Sequence, residues 1–289
     1  MAERTPSLDN SPAQSAQASG ALFRHYIRNG AGVVLARIGS DRVEDLRSVC
    51  DLSLHILGYA LLGREGWPLT RQVITAVAPK MEQFGYREEW SQRLEACLAW
   101  AMSEGDTEAE ARICRILGQL NRQLDRDSVA RTWLEQSVTA FRLCGNPSDV
   151  AAALNQLARV HQLQYRYEDA LACASEALGY LAPDDVERAE SHYVLGMVAL
   201  GQRRWVDAEQ QHKLALDFRL RGENQRTIAW AYQNLGLVYL RESEYGKRNR
   251  LGEADDWLRQ AVAMLETLSD PYHLAVTLNN LGTAQVLDF

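Results

Sequence analysis

Leu235-Gly236-Leu237-Val238-Tyr239, followed after a gap by Glu253-Ala254, is the stretch on which the fold turns. A leucine followed by a small residue also stands at Leu117-Gly118, Leu157-Ala158, Leu195-Gly196 and Leu281-Gly282. In chain order the intervals are 40, 38, 40 and 46 residues. Twelve residues after the first three small residues comes an alanine: Ala130, Ala170 and Ala208. In the fourth unit it is Ala254, eighteen on, so six residues have been inserted between that unit's two helices. Seven positions further the chain reads Ser137, Ala177, Ala215 and Ala261. Small residues at fixed offsets on two helices let their backbones approach closely while the leucine fills the gap beside them. A lone hairpin cannot bury such a surface; stacked hairpins can.

Outward from this core, apolar residues recur at intervals of three and four from Asp41 to the end, and no stretch alternates like a strand. Helix starts are marked by Asp41 with Glu44, Thr107 with Glu110 and Asp184 with Glu187, at capping-box spacing. Asn146-Pro147 and Asp270-Pro271 set an N-cap before a proline at the first helical position. These signals predict helices near 41–62, 68–84, 88–103, 107–123, 127–143, 147–163, 166–180, 185–201, 204–220, 225–240, 252–267 and 271–287. Short turns between them require antiparallel neighbours. The chain reads as all-α, a right-handed superhelical solenoid of antiparallel helix pairs.

The composition is that of an ordinary globular protein, with 46% hydrophobic and 24% charged residues. Thirty-one basic and 38 acidic residues leave a net charge of −7, which argues against nucleic-acid binding. The apolar stretch from Leu52 to Leu62 is broken by His55 and falls short of a membrane span. Residues 1–20 lack the apolar segment of a secretory signal and read as a disordered tail, followed by an N-terminal helical segment, 21–105, repeat-like or capping. Five scattered cysteines without a CxxC pair read as core thiols in a reducing, cytoplasmic setting.

The repeat resembles the tetratricopeptide repeat. Leu235 to Tyr239 with Glu253-Ala254, and Tyr167-Glu168-Asp169-Ala170 with Ala177 and Pro183, carry the likeness. It covers residues 106–289, with a period near 40 and the last unit incomplete. His161, Ala199 and Gln285 depart from the pattern where Tyr239 fits it. Leu278 to Gly282 and Trp100 to Asp106 are similar to the repeat regions of bacterial NLR-like signal-transducing ATPases.

Chemistry-bearing motifs do not build a site. Gly30-x-Gly32 lacks the third glycine of a dinucleotide fingerprint, since Leu35 stands there, and there is no phosphate loop. The six histidines show no metal spacing, although His161, His192 and His212 fall on neighbouring repeats. No catalytic residue, cofactor or metal is expected.

Function is expected on the concave wall that the first helix of each hairpin lines. Positions −6, −3, +1 and +4 from each small anchor share one helix face. They are Arg112, Arg115, Gln119 and Arg122; Ala152, Asn155, Arg159 and Gln162; Glu190, Tyr193, Met197 and Leu200; Trp230, Gln233, Leu237 and Leu240; Val276, Asn279, Thr283 and Val286. Arginines dominate the first two units, aromatic and aliphatic residues the next two. Such a wall suits a protein or peptide ligand with acidic and apolar anchors, bound by hot-spot residues. The expected site comprises Arg112, Arg115, Arg122, Asn155, Arg159, Tyr193, Met197, Trp230, Gln233, Leu237 and Asn279. Val286, Leu287 and Phe289 are expected to form a docking end, with self-association through the last helix. The chain thus reads as a non-catalytic protein-binding scaffold or sensor in a signalling or defence assembly. The alternative is the regulatory repeat region of a multidomain ATPase or protease.

Overall fold

The computed structural model describes residues 12–39, 43–60, 66–246, 248–268 and 270–288. Among them there are thirteen helices and no strand. They are α1 (Pro12–Arg37), α2 (Val43–Ala60), α3 (Trp67–Phe84), α4 (Arg87–Glu104), α5 (Thr107–Gln123), α6 (Asp127–Cys144) and α7 (Pro147–Leu163). There follow α8 (Tyr167–Tyr180), α9 (Arg188–Gly201), α10 (Trp205–Arg221), α11 (Gln225–Tyr245), α12 (Leu251–Thr267) and α13 (Pro271–Leu287). The chain divides into two compact units, Met1–Leu124 and Asp125–Phe289. Within each, a helix packs on its chain neighbours, and first helices also touch across their partners, as α1 on α3, α3 on α5, α7 on α9 and α11 on α13. The fold is an all-α solenoid of helix pairs, TPR-like in its repeat.

The turns show why these residues stop and restart helices where they do. After α3 and α4 the chain turns through Gly85 and Gly105 at positive φ, and the second residue beyond each helix bonds back five residues. This is the Schellman arrangement, which satisfies carbonyls that a helix end leaves open. Tyr165 and Arg203 take the same left-handed conformation without being glycine, at φ 59° in both cases. An arginine then stands at the N-cap of each second helix in the next unit: Arg126, Arg166, Arg204 and Arg250. Three of them reach the acidic residue three positions on, Asp169, Asp207 or Glu253.

The small anchors perform as their spacing predicts. A Cβ placed on Gly196 would lie 2.7 Å from His212 Nε2, and one on Gly236 2.6 Å from Leu258 Cγ. Ala130, Ala170, Ala208 and Ala254 are all fully buried. Asn146 and Asp270 cap as expected, accepting from the backbone N–H of Asp149 and His273.

Several expectations change. Asp106, not Thr107, caps α5, because its carboxylate accepts from Ala109 N–H at 3.1 Å. Asp184 with Glu187 is no capping box: α9 begins at Arg188, and Asp185 accepts from Glu187 N–H at 2.9 Å. Asp41 lies outside the described residues. α1 takes in residues 12–20, assigned by sequence to the tail, and runs straight through Gly30 and Gly32; residues 1–11 lie outside the described residues. A Cβ on Gly30 would meet Ile56 at 2.8 Å, so this glycine serves helix packing against α2. The first compact unit extends to Leu124, and within it Trp67, Arg71 and Arg87 bond to Asp106, Glu108 and Gln123. Cys50, Cys97 and Cys114 are buried as core thiols, Cys173 is half-buried and Cys144 is exposed. Burial raises the thiol pKa to about 12 at Cys97 and Cys114, which keeps both protonated.

The fourth unit's extra residues divide between helix and connection. α11 continues to Tyr245, four residues longer than α5 or α7, so most of the six form another helical turn. Arg250 then ties the connection down, with Nη1 2.6 Å from Glu209 and 3.3 Å from Glu242, and its guanidinium 4.0 Å over the Tyr239 ring. Tyr239 itself donates to Glu209 at 3.0 Å. Burial raises the Glu209 pKa, but hydrogen bonds from Arg250, Lys213 and Tyr239 outweigh it and hold the carboxyl at about 2.

Candidate partner-binding surface

In the second unit the first helices are α7, α9, α11 and α13. Arg159 of α7 donates to Glu190 of α9 at 3.1 Å, and its guanidinium lies 5.1 Å from the Tyr193 ring. Arg219, at the end of α10, approaches the same carboxylate at 3.5 Å and the same ring at 5.5 Å. Arg219 is almost fully buried, and burial lowers its pKa, opposed by Glu190. Tyr193 is thus held between two guanidinium groups, with its ring 6.0 Å from that of His212. The arginine and tyrosine read as ligand anchors are spent largely on each other.

Trp230 is engaged in the same way. Its indole N–H donates to Asp270 Oδ2 at 3.2 Å, Arg226 reaches that oxygen at 2.8 Å, and the His273 ring lies 4.4 Å away. Burial pushes the Asp270 pKa up, but hydrogen bonds from Arg226 and His273 prevail and hold it at about 2. The first unit contains a matching device. Trp67 donates to Asp106 at 2.8 Å, and Arg71 pairs with that carboxylate at 3.0 Å. In both units a helix N-cap aspartate receives an indole and a guanidinium four residues apart on the preceding first helix. The sequence signal was available: Trp67 to Asp106 spans 39 residues and Trp230 to Asp270 spans 40.

A concavity lies in the first unit, along α1, α3 and α5. A recess of about 720 Å³ is floored by Leu35, Ile74, Ala76, Ala109 and Ile113, with Arg71, Glu108 and Arg112 at its edge. A smaller recess of about 190 Å³, lined by Thr75, Pro79, Arg112, Arg115, Ile116 and Gln119, shares Thr75 and Arg112 with the first. Arg112 is half-buried and pairs with Glu108 at 3.0 Å.

The expected site residues therefore part company. Arg112 and Arg115 meet at the recesses, while Arg122 is half-buried in the last turn of α5 and lines neither. Met197 and Leu237 are half-buried and Asn279 is exposed. Asn155 is 2% exposed, and its amide oxygen accepts from Ser191 at 2.8 Å, a link from α7 to α9. Gln233 is 8% exposed, with its Oε1 lacking a hydrogen-bond partner among the described residues. Val286 and Leu287 are exposed, and Phe289 lies outside the described residues. The histidines do not converge: His192 bonds Gln211 and stacks on Phe218, whereas His212 is enclosed against Gly196. Among the described residues no three His, Cys, Asp or Glu side chains are placed to hold a metal ion, and no helix is long and apolar enough to cross a membrane.

The tetratricopeptide repeat model matches residues 150–179, the turn-containing centre of the second repeat. BtubC (BKLC) from P. vanneervenii has a similar structure, with a TM-score of 0.55 at 17% identity over 86% of this chain and 92% of that one. A Signal Transduction ATPase with Numerous Domains (STAND) protein with a tetratricopeptide repeat sensor, from Pyrococcus horikoshii, is also similar, with a TM-score of 0.60 at 13% identity. That likeness covers 96% of this chain but 41% of the archaeal protein. At such identities the likeness is one of fold. No curated protein sequence matches the chain.

Proposed function

We propose that this chain is a protein-binding module that seats a partner segment along α1, α3 and α5 of its first unit. The observation that carries this reading is the recess of about 720 Å³, whose floor is apolar and whose edge carries arginines. Its size falls within the range of sites that enclose a side chain or a small ligand. An apolar anchor of the partner covers Ile74, Ala76 and Ala109. An acidic group beside it reaches Arg112 and Arg115, which lie on the same wall one helical turn apart. Arg159, Tyr193 and Trp230 remain part of the binding proposal at their exposed edges; Arg159 and Trp230, like Arg112 with Glu108, already hold partners within the chain.

The test is selection of peptides from a displayed random library by the immobilised chain. Selected peptides should combine acidic and apolar residues and lose binding to Arg112→Glu and to Thr75→Trp, which fills both recesses. Glu95→Arg on α4, away from the recesses, should bind them normally. Peptides indifferent to Arg112→Glu and Thr75→Trp would refute the site.

A second reading makes the module the sensor of a larger ATPase or protease assembly, and rests on the likeness in fold to the STAND sensor protein. Recovery of a nucleotide-hydrolysing partner with the native chain, lost in Arg112→Glu, would support it.

A further inference from the structure

α13 has two faces. Thr277, Asn280, Leu281 and Ala284 are buried, the last two in one cluster with Leu251, Ala254 and Leu258 of α12. On the opposite face Tyr272, Ala275, Leu278, Asn279, Gly282 and Val286 are exposed, Val286 to 75%. α13 contains no Asp, Glu, Lys or Arg. In α11 the corresponding positions, 46 residues earlier, are covered by α12. The Tyr232 ring meets Trp257 at 5.3 Å, Gly236 lies under Leu258, and Leu240 is 1% exposed. At Gly282 a Cβ would meet nothing within 4 Å among the described residues. α13 therefore repeats the glycine-centred surface on which α11 receives a second helix, and no described residue covers it.

We propose that this face receives the same face of a second copy of the chain, α13 against α13, antiparallel about a two-fold axis at Gly282. A two-fold axis there brings positions equally far to either side of Gly282 opposite one another, and at four residues both are apolar. Leu278 and Val286 stand four positions to either side, so the pairing sets Leu278 of one copy against Val286 of the other, twice. Asn279 comes opposite Gln285, whose amide nitrogen donates to Asp255 of α12 at 3.4 Å and whose amide oxygen faces the copy. Residues 278, 282 and 286 form an i±4 ridge, the kind that interdigitates in the commonest helix packing, and the glycine lets the axes approach. A two-fold contact of this kind uses one patch twice. The chain as a whole is acidic, at −7, yet α13 itself brings no charged side chain to a copy of itself. One helix face is smaller than a standard interface, so the dimer is a weak, concentration-dependent one. The proposal is independent of the recess in the first unit.

Sedimentation velocity of the whole chain from about 1 to 100 µM tests it. The expected result is a shift from monomer to dimer across that range. Gly282→Glu with Val286→Asp should remain monomeric throughout and melt no lower than the parent, because Gly282 opens on empty space and glycine is the poorer helix former. Gly282→Cys in a Cys144→Ser background should form a disulfide-linked pair on air oxidation faster than Gly252→Cys, an equally open site on α12. A parent chain that stays monomeric overturns the proposal, whether or not another protein binds α13. So does a dimer that survives Gly282→Glu with Val286→Asp, or equal cross-linking rates at the two cysteine positions.

Discussion

His212 occupies the place where the next repeat puts a leucine. Its ring lies against Gly196 as Leu258 lies against Gly236, it is 1% exposed, and Nε2 has no hydrogen-bond partner. Burial lowers its pKa from 6.5 to about 3, with Arg219 adding to the effect. Below pH 6.5 the unfolded chain therefore takes up a proton that the folded chain refuses, and stability falls with pH until about 3. The slope is about 1.4 kcal/mol per pH unit for this one group. Burial lowers the pKa of His161, His192 and His273 as well, which steepens the fall. Urea melts at pH 7 and pH 5 should show a clear loss in the parent and a smaller one in His212→Leu, which is also the more stable at pH 7. An unchanged difference between the two pH values would mean that His212 does not carry the acid sensitivity. Tyr165 offers a second residue-scale test. Its left-handed backbone costs about 1–2 kcal/mol in a non-glycine residue, while its side chain is 79% exposed and makes one edge contact with Tyr167. Tyr165→Gly should raise the unfolding free energy by about 0.5–1 kcal/mol despite its looser unfolded chain.

Among elements, the sequence placed twelve helices, most within two residues of their observed ends, because caps and apolar spacing are local signals. The inserted segment of the fourth unit was legible as six extra residues but not as structure. Insertions in repeats commonly map to loops, whereas here Arg250 reaches back 41 residues to Glu209. Nothing local reveals that reach, although an arginine four residues before the anchor alanine recurs at 126, 166, 204 and 250. The consequence is measurable. Arg250→Ala leaves the buried carboxylate of Glu242 and the half-buried Glu209 without that guanidinium and should cost about 1–3 kcal/mol. Deleting the six extra residues should lower the thermal midpoint at least as far; an unchanged melting curve would return the segment to the status of a surface loop. The polar wall was only partly legible for a related reason. Register gives the face on which Asn155 and Trp230 lie, but not that Ser191 and Asp270 on neighbouring helices hydrogen-bond to them.

At the scale of the whole molecule, the chain forms two compact units. The second is tied internally, with its arginines and aromatic rings paired along the first helices. The first leaves an apolar recess open between α1, α3 and α5. Arg112 at its edge was readable from the repeat, since it holds a wall position, as does Arg115 of the smaller recess. The floor of the larger one was not, because Leu35 and Ile74 belong to helices outside the clear repeat and meet Ile113 only in the folded chain. The most direct measurement is hydrogen–deuterium exchange of the whole chain with and without a library-selected peptide. The expected result is slowed exchange along residues 71–79 of α3 and 108–120 of α5, with α2 and α4 unchanged. Slowing confined to α2 and α4, or to the second unit, would contradict the account.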